Sequence, residues 1–339
     1  MEYRFSDKIA SLKPSAIREV LKATSVPGMI PFAAGNPAPD AFPVAEVQEI
    51  AADILKNRPI DALQYGVTEG YPELISLIKT RMKSKYGIGR DFDSIIITSG
   101  AQQVMDLSTK VLCNEGDVVI CESPSFIGSL NCFRSYNAKL VGVPVDADGM
   151  NIEALEKALD ENPNAKMIYT IPNFQNPAGV TMSLEKRRKL YELAKAHNVM
   201  ILEDNPYGDL RVAGEDVPNI KSFDEAGIVI YSGSFSKILA PGIRIGFTPA
   251  PVVAKMTVGK QAVDVHTTQL MQMIVAEWMK RYDVDEHIEK IRKIYRRKLN
   301  LMCDMIDSEL GDAVSYVRPK GPNHACVTAC HLVRAARGC

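Results

Sequence analysis

The sequence predicts an α/β protein whose main domain has three layers, with helices covering both faces of a mostly parallel sheet. From residue 94 onward, short apolar runs alternate with stretches of helical periodicity, which is the pattern of consecutive strand and helix units. These runs are apolar on both faces, so we expect the strands to be buried between two layers of helices. A long charged helix near the C-terminal end predicts a connection to a second domain.

The segments before residue 94 are predicted to form helices and structured loops. Helical periodicity marks the helices, and clusters of Gly and Pro mark the loops. Pro14 suits the first turn of a helix, because a backbone N–H would have no partner there. The predicted helices are 13–24, 44–56 and 71–86, and the predicted loops are 30–43 and 63–70.

Six strands and four helices are predicted in the alternating region. The strands are 94–98, 117–121, 139–143, 166–171, 199–203 and 227–232, and the helices are 102–113, 126–136, 152–162 and 183–197. One more strand is expected within 238–247. Residues from 251 to about 310 are expected to be mainly helical, with the long charged helix beginning at Asp285. Ligands bind beyond the carboxyl ends of the strands in such sheets, so we expect a site there.

Composition argues against several classes of function. The chain has 40 basic and 41 acidic residues, so nothing indicates a nucleic-acid partner. The N-terminal residues carry no apolar signal region, and no apolar run is long enough to span a membrane. The seven cysteines lack the spacing of a disulfide framework, which favours a reducing, cytoplasmic location.

Residues 229–247 combine a strand, a tight loop and polar groups suited to a phosphorylated ligand with a carbonyl. The apolar run ends at Ser234, and Ser236, Lys237 and Arg244 follow. The two hydroxyls and Arg244 would hold a phosphate. Lys237 would form an imine with a carbonyl. A lysine after a strand is also a common surface residue, so this stretch alone leaves an ordinary loop open.

Three further strand ends carry residues that could serve the same ligand. Residues 98–103 follow a strand and open a helix, and the N–H groups of such a turn either bind a phosphate or only begin the helix. Asn176 could donate to a ligand oxygen or only shape a rigid turn with Pro177. Asp204 could pair with a protonated ring nitrogen and Tyr207 could bind a ring oxygen, or the two could be a turn residue and a packing residue.

The order of these motifs resembles the pyridoxal-phosphate-dependent aminotransferases of fold type I, class I/II. Within that family the sequence is most similar to the branch of 2-aminoadipate, kynurenine and multi-substrate aminotransferases. The resemblance covers roughly residues 1–320 and is carried by Ser-Phe-Ser-Lys-Ile-Leu-Ala-Pro-Gly-Ile-Arg-Ile-Gly at 234–246, Gln-Asn-Pro-Ala-Gly at 175–179 and Glu-Asp-Asn-Pro-Tyr at 203–207. It implies transfer of an amino group between an amino acid and a 2-oxo acid, with pyridoxal 5'-phosphate as cofactor.

The resemblance implies roles for the residues at the strand ends. Lys237 would form the Schiff base with the cofactor and then act as general base, and Asp204 would pair with the pyridinium nitrogen. Asn176 and Tyr207 would hold the phenolic oxygen of the ring. Phe126 would stack on the ring where many relatives carry tyrosine, which keeps the stacking face and loses a hydroxyl.

The implied phosphate site is a larger set of residues. It comprises Gly100, Ala101, Gln102, Ser234, Ser236 and Arg244 of one subunit and Tyr65 of its neighbour. Ala101 replaces a common serine, which keeps the backbone N–H and removes one phosphate contact. Because Tyr65 would reach across, the resemblance predicts a homodimer with shared active sites. Gly35 and Asn36 are implied to line the substrate pocket together with Asn176.

The resemblance also implies three parts of the chain. Residues 1–43 would form an N-terminal arm and part of the small domain. Residues 44–282 would form the major domain that binds pyridoxal phosphate. Residues 283–339 would form the bridging helix and an incomplete small α+β domain.

The resemblance ends after Arg318-Pro-Lys-Gly321. Relatives continue with a Gly-Gly-Met-Phe-like segment and an arginine that binds the substrate α-carboxylate, and residues 322–339 have no matching motif. Arg318, Arg334 and Arg337 are not in register to replace that arginine. We therefore expect a reading-frame shift or a truncation near Gly321. The three Cys and two His of this tail fit no standard zinc spacing, so no metal site is expected.

Three other functions remain compatible with the sequence. One is a lyase or decarboxylase of the same fold, which measurement of half-transamination would separate from an aminotransferase. Another is the cofactor-binding domain of a transcription regulator, against which the balanced charge and the lack of a basic winged-helix segment argue. The third is a catalytically impaired form, which only the unusual tail supports.

Overall fold

The computed structural model describes residues 3–10, 12, 35–316, 318–321 and 327–329. Its strands are β1 (Ser94–Thr98), β2 (Val118–Ser123), β3 (Lys139–Asp146), β4 (Gly149–Met150), β5 (Ala165–Thr170), β6 (Met200–Asp204), β7 (Val229–Ser234), β8 (Gly246–Ala250), β9 (Val314–Tyr316) and β10 (Val327–Ala329). Its helices are α1 (Asp7–Ala10), α2 (Val44–Asn57), α3 (Pro59–Leu63), α4 (Pro72–Tyr86), α5 (Ala101–Leu112), α6 (Ile127–Ser135), α7 (Ile152–Glu161), α8 (Leu184–Ala196), α9 (Val253–Gln261), α10 (Gln269–Arg281) and α11 (Val284–Glu309).

The centre of the molecule is an eight-stranded sheet in the order β1-β8-β7-β6-β5-β2-β3-β4. Strand β8 pairs antiparallel with both β1 and β7, and β4 pairs antiparallel with β3. The pairs β3–β2, β2–β5, β5–β6 and β6–β7 are parallel. The prediction of a mostly parallel sheet is therefore confirmed, and strands β9 and β10 form a separate antiparallel pair.

Helices cover both faces of the sheet, and alternate residues of each strand enter different hydrophobic clusters. On β5 and β6, Ile168 and Ile201 pack in a cluster with α7 and α8. Met167 and Leu202 pack on the opposite face, in a cluster with α5, α6 and α9. This alternation follows from the two-residue period of a strand, and it buries the central strands on both sides. The predicted three-layer α/β architecture is present.

Local sequence explains where several helices begin. The side chains of Asn151 and Ser183 accept hydrogen bonds from backbone N–H groups three residues further on, which caps α7 and α8. Asp283 accepts from the first turn of α11 in the same way. Pro59 and Pro72 stand at the start of α3 and α4, where a backbone N–H would have no helical partner.

The six predicted strands and the four helices between them are all present, with ends that differ by no more than three residues. The strand expected within 238–247 is misplaced, because that segment contains a 3-10 turn, Pro241–Ile243, and the strand begins only at Gly246. Pro241 has no N–H to donate, and Arg244 adopts a left-handed conformation with φ 56°, so neither residue fits a strand ladder. The predicted helix at 13–24 and most of the tail lie outside the described residues.

In the described ranges, no helix is long and apolar enough to cross a membrane. The same residues contain no group of three or more His, Cys, Asp or Glu side chains that could hold a metal ion. Four cysteines there, Cys113, Cys121, Cys132 and Cys303, are free thiols.

Gly246 occupies a position in the sheet where a neighbouring backbone comes very close. It lies opposite Ser234 on β7 and opposite Thr98 on β1. A Cβ at residue 246 would lie 2.6 Å from the carbonyl carbon of Gly100 and 2.9 Å from the nitrogen of Ala101. Both are backbone atoms, so a side chain here would displace the start of α5.

We expect Gly246→Ala to lower the free energy of unfolding by about 1–3 kcal/mol, because the added methyl group forces a backbone shift. Gly242→Ala is the matched control, since nothing lies within 4 Å of its Cβ position, and its cost should stay within about 0.5 kcal/mol. Urea unfolding of both variants measures the difference. Equal stabilities for the two variants would contradict the close approach of β8 to α5.

Candidate active site

The carboxyl ends of β1, β5, β6 and β7 lie along one edge of the sheet. Three of them end at Thr98, Asp204 and Ser234. Because β8 runs antiparallel between β1 and β7, those two strands point the same way and both end at this edge. The structure therefore collects several of the predicted site residues where a doubly covered sheet binds its ligands.

Asp204 is buried, with 4% of its surface exposed. Tyr169 Oη donates to Asp204 Oδ2 at 2.9 Å, and Ser129 Oγ donates to Tyr169 Oη at 2.9 Å. Burial raises the pKa of Asp204 to about 6, although the Tyr169 and Ser232 hydroxyls act to lower it. Asp204 Oδ1 has no hydrogen-bond partner within the described part of the chain. An unpartnered buried carboxylate oxygen requires a donor from a ligand.

Lys237 follows β7 on the loop that begins after Ser234. Its Nζ donates to the carbonyl of Gly35 at 3.3 Å and lies 5.7 Å from the centre of the Tyr207 ring. Burial lowers the pKa of Lys237, so a larger share of the amine is neutral than in an exposed lysine. Gly35 has φ 53°, a left-handed conformation that glycine adopts without strain. The structure thus brings Lys237, Tyr207 and Gly35 together, whereas Asn36 is exposed.

The turn before α5 meets Arg244. Gly100 precedes the first residue of α5, and a Cβ on it would lie 2.3 Å from Arg244 Nη2. Arg244 Nη2 donates to the carbonyl of Ser99 at 3.1 Å. The N–H groups of Ala101 and Gln102 have no acceptor among the described residues. A guanidinium beside the open N-terminus of a helix is a site for an anion.

The two serines of the lysine loop bond to each other. Ser234 Oγ donates to Ser236 Oγ at 2.9 Å, and the N–H of Ser236 donates to Ser234 Oγ at 3.0 Å. Ser234 lies opposite Gly246, whose Cα approaches the start of α5. This register places the serine pair beside the helix terminus that Arg244 contacts.

Phe126 and Gln102 pack against the first turn of α6. A Cβ on Gly128 would lie 2.6 Å from the Phe126 ring, so the glycine makes room for the aromatic side chain. Gln102 Nε2 donates to the carbonyl of Gly128 at 3.1 Å. The side chain of Gln102 is therefore directed to α6, and its backbone N–H is the group available to an anion at the turn.

Asn176 is half-buried. The buried carboxylate of Glu122 holds its loop in place. Glu122 accepts from the N–H of Ile171 at 3.1 Å and from Gln175 Nε2 at 3.1 Å. Gln175 also donates to the carbonyl of Pro124, which ties this loop to the loop before α6. Burial raises the pKa of Glu122 to about 7, although hydrogen bonds from Thr170, Ile171 and Gln175 act to lower it.

Tyr65 is not brought to the other candidates within the chain. It is 81% exposed. Its ring and that of His266 are nearly perpendicular, with their centres 5.8 Å apart. Exposed apolar neighbours lie on either side of it at Leu63 and Val67. Among the described residues this loop therefore contributes to the surface.

Sequence reasoning missed the buried polar residues that support the candidates. Tyr169, Ser129 and Glu122 were assigned no role, although a tyrosine inside a buried strand needs a partner for its hydroxyl. Gln103 is a second case, and its position in the first turn of α5 was an available signal, because glutamine there often bonds back to the chain before the helix.

The fold and the site define an α/β enzyme that holds a phosphorylated, carbonyl-bearing cofactor at the strand ends. The family model for aminotransferase class I and II matches residues 27–332. The chain belongs to this family, and it is a pyridoxal-phosphate-dependent aminotransferase.

The sequence and the fold of this chain are similar to those of several known aminotransferases. The aromatic-amino-acid aminotransferase 1 of Thermococcus litoralis is 40% identical over 326 residues, which cover 94% of this chain and 78% of that protein. The 2-aminoadipate transaminase of Thermus thermophilus is 37% identical, over 94% of this chain and 79% of that protein. The structure of Pyrococcus horikoshii kynurenine aminotransferase has a TM-score of 0.89 and 37% identity, over 94% of this chain and 80% of that chain.

The residues at the strand ends fit pyridoxal phosphate. The unpartnered Asp204 Oδ1 matches the need of a pyridinium N–H for a buried acceptor. The unpaired N–H groups at the start of α5, together with Arg244, match the need of a phosphate for several donors. Lys237 supplies a half-buried amine with a lowered pKa.

The raised pKa of Asp204 makes the stability of the cofactor-free protein depend on pH. A carboxyl with a pKa of about 6 in the folded state and 3.8 unfolded stabilises the fold below pH 4, and this contribution is lost as pH rises through 6. Asp204→Asn removes the effect, so its free energy of unfolding relative to wild type should rise by about 3 kcal/mol from pH 4 to pH 7. Urea unfolding at several pH values measures the difference.

Thr109→Val, a change in a buried residue that carries no ionisable group, provides the control. Its difference from wild type should not change with pH. The same flat profile for Asp204→Asn would mean that the buried carboxyl is already ionised in the folded protein at pH 4.

Proposed function

We propose that the chain transfers an amino group between an amino acid and a 2-oxo acid through Lys237, with Asp204, Tyr207 and Asn176 holding the cofactor ring. The observation that carries this proposal is the buried Asp204 oxygen without a partner among the described residues, at the same sheet edge as a half-buried lysine of lowered pKa. When bound, pyridoxal phosphate supplies a carbonyl for the amino group and a ring that takes up the electron pair released at the substrate Cα.

Asp204 holds the proton of the ring nitrogen at its Oδ1. Its Oδ2 is already engaged by Tyr169, so a single carboxylate oxygen remains for the ligand. In the cofactor-free protein the pKa of Asp204 is about 6 because of burial. A pyridinium cation beside the carboxylate favours its ionised form, since an opposite charge lowers the pKa of an acid.

Lys237 would hold the cofactor by its carbonyl, and once a substrate amine has taken that place, the released Nζ would move the proton at the substrate Cα. A base works best when its pKa lies near the operating pH, and burial lowers the pKa of Lys237 toward that range. The nearby Tyr207 and the Asn176 side chain bind the phenolic oxygen of the ring, and Phe126 stacks on the ring face. Gly35 and Asn36 line the substrate side of Lys237.

The phosphate is held by the N–H groups of Ala101 and Gln102, which follow Gly100, by Ser234 and Ser236, and by Arg244. The N–H groups carry the partial positive charge of the α5 terminus, and Arg244 adds a full charge. Arg244 is exposed in the absence of ligand, so it meets an anion without losing an internal ion pair.

Relatives indicate which substrates to test first. Their names refer to aromatic amino acids, 2-aminoadipate and kynurenine. We infer that aromatic amino acids, 2-aminoadipate and kynurenine are the amino donors to test first.

Treating the holoenzyme with borohydride should attach the cofactor covalently to Lys237, because reduction makes the bond between amine and carbonyl permanent. Lys237→Ala should retain cofactor binding and lose about 10²–10⁴-fold in turnover, the range expected for loss of a general base. Peptide mapping by mass spectrometry identifies the modified lysine. Attachment at the buried Lys260, or at any other lysine, would reject the assignment.

We propose a homodimer in which Tyr65 reaches the phosphate of the partner subunit. Tyr65 is 81% exposed, and Ile60 and Leu63, each 72% exposed, precede it on α3. Large apolar side chains grouped on a surface are typical of protein interfaces. The Tyr65 ring packs in a T-shaped arrangement with His266, which leaves most of its surface exposed.

Leu63→Glu should weaken the dimer, because it places a charge in an apolar interface. Leu301→Glu is the matched control, since Leu301 is 62% exposed on the distant helix α11. Sedimentation velocity over a dilution series measures the association of both variants. A monomeric wild type, or equal dissociation of the two variants, would contradict this interface.

A cytoplasmic location is also proposed. Burial raises the pKa of Cys113 and Cys121 to about 11 and that of Cys132 to about 12, so these thiols stay protonated and unreactive. Free, buried thiols are typical of proteins that work in a reducing compartment.

A further inference from the structure

All three polar groups of Ser99 are engaged by other side chains. Its N–H donates to Gln103 Oε1 at 2.8 Å, and its Oγ donates to Asp264 Oδ2 at 2.9 Å. Its carbonyl accepts from Arg244 at 3.1 Å. Ser99 immediately precedes Gly100, so these contacts fix the backbone that aims the first N–H groups of α5.

Among the residues that bind Ser99, Gln103 is the one that belongs to α5 itself. It is 8% exposed and sits three residues after Gly100, which is where a capping glutamine bonds back toward the chain before a helix. An amide can face either way, and only its oxygen can accept from the Ser99 N–H. Something must therefore hold the amide oxygen toward Ser99.

An ion pair between the buried Lys260 and the half-buried Asp264 holds that orientation. Lys260 Nζ donates to Gln103 Oε1 at 2.6 Å, and Gln103 Nε2 donates to Asp264 Oδ2 at 2.9 Å. A flipped amide would face the ammonium with its NH₂ group and the carboxylate with its oxygen. Lys260 is fully buried and pairs with Asp264 at 2.8 Å. Neither charged group can turn away from a flipped amide without breaking this ion pair.

The segment that carries Asp264 is itself constrained. Val265 has φ 63°, a left-handed conformation that a β-branched residue adopts only when its surroundings impose it. Thr267 Oγ1 lies 3.3 Å from Ser99 Oγ and donates to the carbonyl of Ile97. The segment is thus bound to β1 and to the turn on both sides of the strained residue.

We propose that Gln103 is the positioning residue of the phosphate-binding turn, and that the ion pair between buried Lys260 and half-buried Asp264 orients its amide. Gln103 touches neither cofactor nor substrate. It acts by fixing Ser99, so that the N–H groups of Ala101 and Gln102 converge on the phosphate. This inference deepens the proposed function, because it rests on the turn being the phosphate site.

Gln103→Met keeps the length of the side chain and removes both hydrogen-bonding groups. The apoenzyme should lose about five- to tenfold in affinity for pyridoxal phosphate, the size expected for one lost hydrogen bond. Its affinity for pyridoxal, which lacks the phosphate, should not change. Equilibrium dialysis with the two compounds gives both dissociation constants, and a purely structural role would lower both affinities together.

Thr109→Val is the matched control on the same helix. Thr109 is fully buried, and its hydroxyl donates to the carbonyl of Met105 without contacting the turn. This variant should leave the ratio of the two dissociation constants at the wild-type value. A ratio that is unchanged in Gln103→Met, or changed equally in both variants, overturns the proposal.

An exchange of charge tests the orientation of the amide even if Gln103→Met does not fold. Gln103→Glu alone places two carboxylates beside one lysine and should weaken binding of pyridoxal phosphate selectively. Adding Asp264→Asn restores one carboxylate, one amide and one ammonium, with the amide now donating in the opposite direction. The double variant should recover the wild-type ratio, and failure to recover it would overturn the role of the ion pair.

Arg244→Ala separates this proposal from the one on which it rests. It should weaken binding of pyridoxal phosphate and leave pyridoxal unaffected if the turn holds the phosphate. Equal losses for both compounds in Arg244→Ala would overturn the phosphate site itself. A selective loss in Arg244→Ala without one in Gln103→Met would overturn only the positioning role.

Discussion

The site depends on the register of one antiparallel strand. Strand β8 lies between β7 and β1, and Gly246 faces Ser234 on one side and Thr98 on the other. Only a residue without a side chain leaves room there for the backbone at the start of α5. Because of this close approach, the serine loop, the helix N-terminus and Arg244 lie around one point. The groups that can bind a phosphate come from segments more than 130 residues apart in the chain.

Two buried carboxylates near this edge have different roles, because their hydrogen bonds differ. Burial raises the pKa of both Glu122 and Asp204, to about 7 and about 6. Both oxygens of Glu122 accept hydrogen bonds, Oε1 from Thr170 and Oε2 from Ile171 and Gln175. Glu122 therefore holds these segments in place and has no oxygen left for a ligand. Asp204 keeps one oxygen without a partner, which leaves it available to a ligand.

A second layer of side chains fixes the groups that face the ligand. Tyr169 links Asp204 to Ser129 on the first turn of α6, close to Phe126. Gln103 and its ion pair do the same for the turn before α5. In both places a buried polar side chain makes its hydrogen bonds to a residue that lies nearer the ligand. These hydrogen bonds hold that residue in position, so the polar groups of the core also pre-organise the site. Loss of one such residue changes the position of a group rather than its chemistry.

The sequence by itself determined the fold class, the alternating strands and helices and the motifs at the strand ends, because apolar periodicity and turn residues are local properties. It did not give the course of 238–247, since Pro241 and the left-handed Arg244 interrupt an apolar run that resembles a strand. Nor did it give Tyr169 as the partner of Asp204, or Asp264 and Arg244 as partners of Ser99, which come from distant segments. Only the tertiary structure decided them, because hydrogen bonds between distant residues depend on the packing of the sheet and not on local spacing.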